Sequence, residues 1–544
     1  MEFLQKYKQW INSDIITEEI RNELNLIKEE KEIEDRFYKD LDFGTAGLRG
    51  VIGAGTNRMN IYTVSKATQG YAQYLNNHFE NPSVAIAYDS RNMSDEFAKA
   101  TALTFAANGV KVYLFESLRP TPMLSFTVRE LKCQGGVVIT ASHNPKQYNG
   151  YKVYGEDGGQ ITDEGVNEIL SYINNIDIFK DVKTIDEKEA IEKGLLQYIG
   201  EDVDKVYIEK VKSLILRKEL VKEKAKDLNI IYTPIHGSGL MPIKRVLTEL
   251  GFEKLSIVKE QEKPDGDFPT TPYPNPEAKQ VFELALEMAK DINPDIIFGT
   301  DPDADRIGVI VKDNSGEYKV LTGNETGMLL THYMLKSLKD RNELPENAAV
   351  IKTIVTTEAV RKIVESFNAT LIDTLTGFKY IGEKIKEFEE THSNTFIFGL
   401  EESYGYLAGT FVRDKDAVVA ATLITEMTLY YKEQGLTLYE ALIKLYDEYG
   451  YTKEDLVSIE LSGKEGQEKI SNCIDNLRND NITEVNNVKV VKYFDYKKSE
   501  EVTYNLNEEP ISCEINLPSK RVTSSLSSTP GGLKIFQWQA YVKA

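Results

Sequence analysis

The segment Thr140-Ala-Ser-His-Asn-Pro145 contains a serine, a histidine and an asparagine directly after an apolar run. α/β proteins place functional groups at the carboxyl ends of parallel strands, so Ser142 is a candidate nucleophile. A hydrolase nucleophile elbow would have glycine two residues before and after this serine, and neither position is glycine here. His143 is the next residue, and we therefore expect it to be poorly placed as the general base of a triad with Ser142.

A second segment, Gly299-Thr-Asp-Pro-Asp-Ala-Asp-Arg306, also follows an apolar run and holds three carboxylates at alternate positions. In an extended or looped segment, this spacing turns the side chains of Asp301, Asp303 and Asp305 the same way, and the proline disfavours a helix. Three like charges held together repel unless a divalent cation compensates them, and these hard oxygen ligands suit Mg²⁺. The segment is not an EF-hand, because the required glycine and glutamate are absent.

Two further segments carry groups suited to sugar recognition. Gly399-Leu-Glu-Glu-Ser-Tyr-Gly405 combines carboxylates and a hydroxyl with glycines that permit close approach to the backbone, and Thr374-Leu-Thr-Gly-Phe-Lys379 combines hydroxyls with a glycine and a cation. The segment Gly44-Thr-Ala-Gly-Leu-Arg-Gly50 differs in spacing from the dinucleotide-binding fingerprint, and the chain has no Walker A sequence. Neither NAD nor a P-loop nucleotide is therefore indicated.

Apolar strand-like runs alternate with helical stretches, which predicts α/β units with largely parallel sheets. The alternation restarts twice, so we expect three domains of similar plan. Residues 1–40 predict one or two charged helices, 180–225 a mostly solvated helical face, and the chain after residue 450 a smaller α+β domain. The predicted strands lie at 84–88, 110–115, 136–140, 229–233, 255–258, 295–299, 350–355, 370–373 and 395–398.

The composition is ordinary for a globular protein, with 41% apolar and 28% charged residues in a chain of 544. The net charge of −21 argues against a nucleic-acid partner, because phosphate backbones require a basic surface. Three scattered cysteines predict neither a disulfide framework nor a zinc ribbon. The N-terminus lacks the apolar core of a signal peptide and no apolar run is long enough to span a membrane, so we expect a cytoplasmic protein without a membrane partner.

Taken in order, these segments resemble the α-D-phosphohexomutase superfamily, and within it the subgroup of bacterial phosphoglucomutases and phosphopentomutases. The resemblance spans residues 40–500 and rests on five motifs, which are Gly44–Arg49, Thr140–Pro145 continuing to Asn149-Gly-Tyr-Lys152, Asp301–Arg306, Thr376–Lys379 and Glu401–Gly405. It implies an isomerase that interconverts α-D-glucose 1-phosphate and glucose 6-phosphate through a phosphoserine and a bound 1,6-bisphosphate. Phosphopentomutase or phosphomannomutase activity is the alternative within this class.

The implied fold is α/β, with three similar α/β domains that have mixed sheets and a smaller α+β C-terminal domain around a central cleft. The expected domain limits are 1–210 with the phosphoserine loop, 211–325 with the metal loop, 326–448 with the sugar loop, and 449–544. The implied ligands are one Mg²⁺ per chain, glucose 1,6-bisphosphate as primer and sugar phosphates as substrates. We expect a monomer or a weak homodimer.

The resemblance also implies roles for individual residues. Ser142 would carry the phosphoryl group and would bind Mg²⁺ together with Asp301, Asp303 and Asp305. His143 and Lys152 would transfer protons, and Arg49 and Arg306 would contact phosphoryl oxygens. Glu401 and Ser403 would contact sugar hydroxyls, and Lys415 would bind substrate. The loop with Thr376 and Gly377 would choose between sugar orientations.

Two interpretations outside an active mutase remain open. Asp301 could be the nucleophile of an aspartyl-phosphate hydrolase, although this leaves Ser142 and the Glu401 segment without a role. Alternatively, the chain is a weakly active or non-catalytic sugar-phosphate binder, because the family's C-terminal phosphate loop, Arg-x-Ser-Gly-Thr-Glu-Pro, is not found. At the corresponding place the chain reads Lys520-Arg-Val-Thr-Ser-Ser-Leu-Ser-Ser-Thr-Pro-Gly-Gly-Leu-Lys534.

We predict that this altered tail makes the chain a weak mutase whose Ser142 is still phosphorylated. The phosphate that is not reacting must be held by charge-assisted hydrogen bonds if the substrate is to be positioned. Replacing residues 520–544 with the family loop and its flanking strands should therefore raise turnover of glucose 1-phosphate at least ~100-fold, equivalent to ~3 kcal/mol. Equal rates before and after the graft would mean that residues 520–534 bind the phosphate.

Overall fold

The computed structural model describes residues 2–44 and 47–452, and beyond these only six strands and several helical residues between 469 and 479. Three short helices, not the predicted one or two, form the N-terminal segment: α1 (Glu2–Ile11), α2 (Glu18–Leu26) and α3 (Glu30–Phe37). Thr17 caps α2 and so separates it from α1. Trp10 packs edge-on against Phe37 and Tyr62, with ring centroids 5.8 and 5.7 Å apart, which attaches these helices to the following domain.

The first sheet has six strands, β1 (Gly47–Val51), β2 (Ser83–Tyr88), β3 (Lys111–Phe115), β4 (Gly135–Ile139), β5 (Tyr148–Gly155) and β6 (Leu196–Ile199). Their order is β1-β5-β4-β2-β3-β6, in which β4, β2, β3 and β6 are parallel while β5 and β1 form an antiparallel edge. The helices of this region are α4 (Ile61–His78), α5 (Ser94–Ala107), α6 (Thr121–Glu130), α7 (Asp163–Ile173), α8 (Glu187–Glu192), α9 (Glu201–Ser213) and α10 (Lys218–Lys224).

The second sheet has five strands, β7 (Ile230–Thr233), β8 (Leu255–Ile257), β9 (Ile296–Thr300), β10 (Ile307–Lys312) and β11 (Tyr318–Leu321), in the order β11-β10-β9-β7-β8. Strands β8, β7 and β9 are parallel, and β10 and β11 continue the sheet in antiparallel fashion. The helices here are α11 (Leu240–Glu249), α12 (Lys259–Glu262) and α13 (Glu283–Ile292).

The third sheet has four strands, β12 (Ala348–Thr353), β13 (Thr370–Thr374), β14 (Thr395–Glu401) and β15 (Gly405–Leu407), in the order β13-β12-β14-β15. Strands β13, β12 and β14 are parallel and β15 is antiparallel. The helices are α14 (Gly323–Asp340), α15 (Ala359–Ser366), α16 (Phe378–Thr391), α17 (Ala417–Lys432) and α18 (Leu438–Tyr449).

All three sheets share one plan, a parallel part followed by an antiparallel edge. This confirms the prediction of three similar α/β units with mixed sheets. All nine predicted strands are present, with ends within three residues of the prediction. The antiparallel edge strands were not predicted individually. The predicted domain limits at 210, 325 and 448 stay predictions.

The stretch 180–225 is mostly exposed, as its charge predicted, and it also packs against the domain. It contains β6, which extends the first sheet, and α9, whose Tyr207 is fully buried. Arg119 and Asp204 form a buried, two-pronged ion pair in which Nε and Nη2 of the arginine donate to the carboxylate at 2.8 and 2.7 Å. The charges of this stretch thus lie on one side of each helix, while the other side packs against the domain.

The described part of the C-terminal region contains short strands. They are β16 (Ser458–Leu461), β17 (Glu484–Val485), β18 (Val488–Asp495), β19 (Glu500–Thr503), β20 (Ser512–Leu517) and β21 (Gly531–Lys534). Strand β16 pairs with β21, and β18 pairs with β17, β19 and β20. Residues 518–530 and 535–544, on which the prediction about the tail rests, lie outside the described residues. In the part of the chain that is described, no helix is long and apolar enough to cross a membrane.

The Arg119–Asp204 pair predicts a large difference between two similar substitutions on α9. Asp204→Asn leaves a buried guanidinium unpaired and should cost about 3 kcal/mol or more. Glu201→Gln removes the exposed partner of Arg245 and should cost less than about 1 kcal/mol. Urea unfolding of both variants measures the difference, and equal stabilities would show that the buried pair does not hold α9.

Candidate active site

The chemically important segments occupy the same position in each of the three sheets. Each lies in the connection from the last parallel strand to the antiparallel edge: the serine loop (residues 140–147), the aspartate loop (residues 301–306) and the glutamate loop (residues 401–405). Each loop has one residue other than glycine with left-handed backbone, namely Ser142 (φ 51°), Ala304 (φ 47°) and Tyr404 (φ 65°). Such a residue reverses the chain within a few positions, so all three loops stay short.

Ser142 is buried, and its hydroxyl contacts the second domain. Its Oγ donates a hydrogen bond to Asp301 Oδ2 at 2.7 Å, and its amide donates to Thr140 Oγ1 at 2.8 Å. Nδ1 of His143 lies 3.2 Å from Ser142 Oγ, a contact that we did not expect between adjacent residues. It is possible because the left-handed backbone of Ser142 departs from the extended form, in which neighbouring side chains point apart.

The three aspartates are buried together, with exposed fractions of 0%, 0% and 2%. One oxygen from each lies within 4.8 Å of the others. Lys152 Nζ donates to Asp303 at 2.8 Å and to Asp305 at 3.3 Å, and Lys415 Nζ lies 3.3 Å from Asp305. Cations from the first and third domains therefore balance carboxylates of the second.

The surroundings separate the three carboxyl groups electrostatically. Burial, reinforced by Asp303 and Asp305, raises the pKa of Asp301 well above its ordinary value. Burial alone would also raise the pKa of Asp305, but Lys415 and Lys152 lower it. Burial opposes the charge of Lys152, yet Asp303 and Asp305 raise the pKa of its ammonium overall.

The aspartate loop fits a hard divalent cation. The oxygens Asp303 Oδ1 and Asp305 Oδ1 are buried and have no hydrogen-bond partner among the described residues. An unsatisfied buried carboxylate oxygen is costly. A cation bound by these oxygens, by Asp301 and by the Ser142 oxygen would satisfy them with the ligand type that Mg²⁺ and Ca²⁺ prefer.

Glu401 and Ser403 lie buried in the glutamate loop. Burial raises the pKa of Glu401 to about 7, although Lys415 works in the opposite direction. Lys415 donates to Asp414 at 3.0 Å and also faces the aspartate loop. It also packs against the glutamate loop, where a Cβ atom at Gly405 would lie 2.1 Å from Lys415 Cδ, and it therefore connects this loop with the aspartates.

The two ends of the segment Thr374–Lys379 differ in their contacts. Thr376 Oγ1 is buried without a hydrogen-bond partner, and Gly377 (φ 118°) begins α16 in a conformation that favours glycine. Lys379, in contrast, donates to Asp163 in the first domain at 2.9 Å. Thr376 thus retains its hydrogen-bonding capacity for a ligand, whereas Lys379 links two domains.

Both predicted arginines are held near the site. Arg49, on β1, donates to Asn144 Oδ1 at 3.4 Å, and burial lowers its pKa to about 10. Arg306 donates to Glu277 at 3.3 Å, and its Nε is buried without a hydrogen-bond partner. Arg306 thus keeps a donor that a phosphate can use.

The sequence analysis missed Arg91, which holds the serine loop. Arg91 lies just beyond β2, and its guanidinium donates to four backbone carbonyls, those of Ser142, Asn144, Pro145 and Tyr148. The distance to the Ser142 carbonyl is 2.6 Å. The position of Arg91 after a predicted strand is the same signal that selected Ser142, and it could have identified this residue.

Two further residues that the sequence analysis missed support the aspartate loop. Thr121 donates from its hydroxyl to Asp303 Oδ2 at 2.7 Å and from its amide to the Asp303 carbonyl at 2.9 Å. Ser238, beyond β7, donates from its amide and its hydroxyl to the Pro302 carbonyl, each at 2.8 Å. No local pattern identifies these residues, because their partners are 182 and 64 positions away.

Buried hydrogen bonds behind the site join the segment 413–416 to the first domain and to α9. Tyr154 donates to Asp414 at 2.7 Å, Tyr207 donates to Asp416 at 2.9 Å, and the Arg413 amide donates to Ser125 at 2.8 Å. The Ala417 amide donates to the carbonyl of Ala304 in the aspartate loop at 3.2 Å. These bonds hold the serine, aspartate and glutamate loops in a common frame.

Comparison with known proteins agrees with this architecture. Three sequence profiles match the chain: phosphoglucomutase/phosphomannomutase alpha/beta/alpha domain I at residues 40–179, domain II at 205–316 and domain III at 322–449. The chain therefore belongs to the phosphoglucomutase/phosphomannomutase family. The three matches contain the serine, aspartate and glutamate loops, respectively.

Curated relatives match over most of their length. A phosphoglucomutase of Staphylococcus haemolyticus is 38% identical over 90% of this chain and 86% of its own, and one of Staphylococcus epidermidis is 34% identical over 94% and 91%. Among solved structures, a phosphoglucomutase/phosphomannomutase family protein from Burkholderia thailandensis (TM-score 0.63, 19% identity, 92% and 93% covered) and the open form of parafusin from Paramecium (0.64, 17%, 93% and 91%) share the fold.

The unsatisfied oxygens of the aspartate loop predict a cation site that can be measured without turnover. Asp303→Asn should weaken binding of Mn²⁺, used as a probe, at least ~10-fold, because ligand charge tunes the affinity of oxygen sites. Asp313→Asn, in an exposed turn, is the matched control and should leave binding unchanged. Titration followed by electron paramagnetic resonance measures both, and equal binding by the two variants would place the cation elsewhere.

Proposed function

We propose that the protein interconverts α-D-glucose 1-phosphate and glucose 6-phosphate through a phosphoserine and a bound 1,6-bisphosphate. The observation that carries this proposal is the meeting of three loops from three domains, with Ser142 Oγ 2.7 Å from a buried aspartate cluster and the glutamate loop connected to that cluster through Lys415. The phosphoglucomutase names of relatives up to 38% identical support glucose phosphates as substrates.

Ser142 is the residue that carries the phosphoryl group. The bond from Ser142 Oγ to phosphorus breaks as the free hydroxyl oxygen of the sugar phosphate bonds to that phosphorus. The proton of this hydroxyl passes to a proton-transfer group, and Ser142 Oγ regains a proton to become the free hydroxyl. The bisphosphate rotates without leaving the site, and its other phosphoryl group is then transferred to Ser142. Covalent transfer of this kind divides one difficult exchange into two similar steps.

Asp301, Asp303, Asp305 and the Ser142 oxygen are the proposed ligands of a single Mg²⁺. When bound, this ion neutralises charge on the transferring phosphoryl group. Thr121 and Lys152 both donate to Asp303 Oδ2, which leaves Oδ1 of the same carboxylate for the ion.

Lys152 and His143 are the proposed proton-transfer groups. His143 Nδ1 lies within hydrogen-bond distance of Ser142 Oγ, and Lys152 is held beside the aspartates by two of them. A proton-transfer group must be fixed within reach of the reacting oxygen. Arg49 and Arg306 have the donor geometry that suits the phosphoryl oxygens.

The third domain provides the proposed sugar contacts. Glu401 and Ser403 bind vicinal hydroxyls in both orientations of the sugar, and Lys415 contributes a donor beside them. Thr376 and Gly377 distinguish the two orientations, since the Thr376 hydroxyl has no partner within the described residues. Glucose 1,6-bisphosphate is the proposed primer, and sugar phosphates are the proposed partners of a cytoplasmic monomer or weak homodimer.

An aspartyl-phosphate hydrolase is less well supported. Both oxygens of Asp301 are engaged, Oδ2 by the Ser142 hydroxyl and Oδ1 by the amides of Asp305 and Arg306. A nucleophile needs a free oxygen that faces the substrate, whereas Ser142 already lies at the end of a strand with its hydroxyl in the cluster.

The proposal predicts a phosphorylated serine in the purified protein. A fraction of the wild-type protein should be one phosphate heavier by intact mass, Ser142→Ala should lack this species and should not turn over glucose 1-phosphate, and the control Ser366→Ala should keep both properties. The adduct should survive acid and resist hydroxylamine, as a serine ester does. An adduct in Ser142→Ala, or one released by hydroxylamine, would move the nucleophile to another residue such as Asp301.

A further inference from the structure

The three domains also share a second feature, a supporting turn beside each loop of the site. Strands β2, β7 and β12 are the parallel neighbours of β4, β9 and β14, which lead into the three loops. Beyond β2, Arg91 binds the serine loop, and beyond β7, Ser238 binds the aspartate loop. The corresponding residues beyond β12 form the turn Thr353–Thr356, closed by a hydrogen bond of 3.0 Å from the Thr356 amide to the Thr353 carbonyl.

The turn beyond β12 binds the glutamate loop through Glu402. The Thr356 hydroxyl lies 3.3 Å from Glu402 Oε2 and accepts from the Glu402 amide at 3.2 Å. The Thr353 hydroxyl lies 3.4 Å from the same carboxylate oxygen and 2.8 Å from the Thr356 hydroxyl. Both threonines are fully or almost fully buried. Glu402 therefore anchors the loop that carries Glu401 and Ser403.

A buried lysine, Lys352, holds the turn Thr353–Thr356. Lys352 is fully buried, and its ammonium contacts Glu358 at 2.6 Å and Asp373 at 2.8 Å. The same ammonium donates to the carbonyls of Thr353 and Thr356 at 3.3 and 3.2 Å. Asp373 lies immediately before the Thr374–Gly377 segment, so Lys352 connects that segment with the support of the glutamate loop.

The opposite side of the glutamate loop is closely packed. A Cβ atom at Gly323, the first residue of α14, would lie 2.0 Å from the Glu402 carbonyl, and Tyr406 donates to the Gly323 carbonyl at 2.7 Å. The loop thus lies between α14 and the Thr353–Thr356 turn. The hydrogen bonds on the turn side can be removed without introducing a steric clash.

We propose that Thr356, held by Lys352, is a positioning residue that sets substrate affinity by orienting Glu401 and Ser403 through Glu402. This inference rests on the proposed function, because it concerns how tightly that site binds its sugar phosphate. Thr356 does not itself touch the substrate. Its loss should therefore raise KM for glucose 1-phosphate while leaving Ser142 phosphorylation unchanged.

The test compares Thr356→Val, which removes the hydroxyl and keeps the branched shape, with Thr356→Ser, which keeps the hydroxyl. Thr356→Val should raise KM at least ~10-fold, since it breaks hydrogen bonds to a carboxylate and to an amide. Thr356→Ser should stay within about 3-fold of the wild type. Thr331→Val, which removes a buried hydroxyl bonded only within α14, is the stability control and should leave KM unchanged.

A binding measurement separates this proposal from the proposed function. Titration of glucose 6-phosphate into Ser142→Ala, with and without Thr356→Val, measures affinity in the absence of turnover, and the added substitution should weaken binding by the same factor as KM. Wild-type protein that neither turns over nor binds the sugar phosphate contradicts the proposed function. Active wild type with unchanged KM in Thr356→Val, or an equal loss in Thr356→Ser, contradicts the positioning role alone.

The role of Lys352 is tested by a matched pair. Arg361 contacts Glu358 at 2.6 Å and Asp373 at 3.0 Å, as Lys352 does, but it donates to neither carbonyl of the turn. Lys352→Met combined with Thr356→Val should raise KM by much less than the product of the single effects, because both act through one turn. Arg361→Met should leave KM within about 3-fold. If Arg361→Met raised KM as much as Lys352→Met, Lys352 would be only one of several ion-pair partners of Glu358 and Asp373, and its special role in holding the turn would be contradicted.

Discussion

The structure depends on the burial of three like charges in one turn. Asp301, Asp303 and Asp305 are almost completely removed from solvent, and carboxylates in such a place require compensation by cations or by donors. The compensating groups come from elsewhere: Lys152 from the first domain and Lys415 from the third. The domains must therefore approach one another for the aspartate loop to be tolerated, and the same approach brings the serine and glutamate loops together.

A repeated topology makes this convergence possible. In each domain, the strand that leads into the site is flanked on one side by an antiparallel edge strand and on the other by a strand whose following turn supports the loop. Left-handed residues keep the loops short, and short loops carry little conformational entropy that binding must remove. The chemical groups differ among the three domains, but the way in which they are held is the same.

The sequence predicted site residues correctly where a reactive side chain follows the end of a predicted strand. Ser142, the three aspartates and Glu401 were found because an apolar run ends directly before each of them, and the structure brings all of them together. Ser238 was missed because its partner is a backbone carbonyl far along the chain, and such a partner leaves no pattern in sequence. Arg91 also binds distant carbonyls, but its position after a predicted strand could have identified it. Strand β5 was missed because it contains Asn149, Gly150 and Lys152, and asparagine, glycine and lysine are depleted in strands.

The buried hydrogen bonds of the segment 413–416 have a consequence for the way in which the site binds a ligand with two equivalent ends. Tyr154, Tyr207 and Ser125 each join a buried partner in the segment 413–416. Breaking all of them together would be expensive, since each unmade buried bond costs about 1–3 kcal/mol. Ser142 and the glutamate loop thus stay fixed relative to each other. If Ser142 and Glu401 act as proposed, exchange of one end of the ligand for the other requires rotation of the small molecule between residues that stay in place.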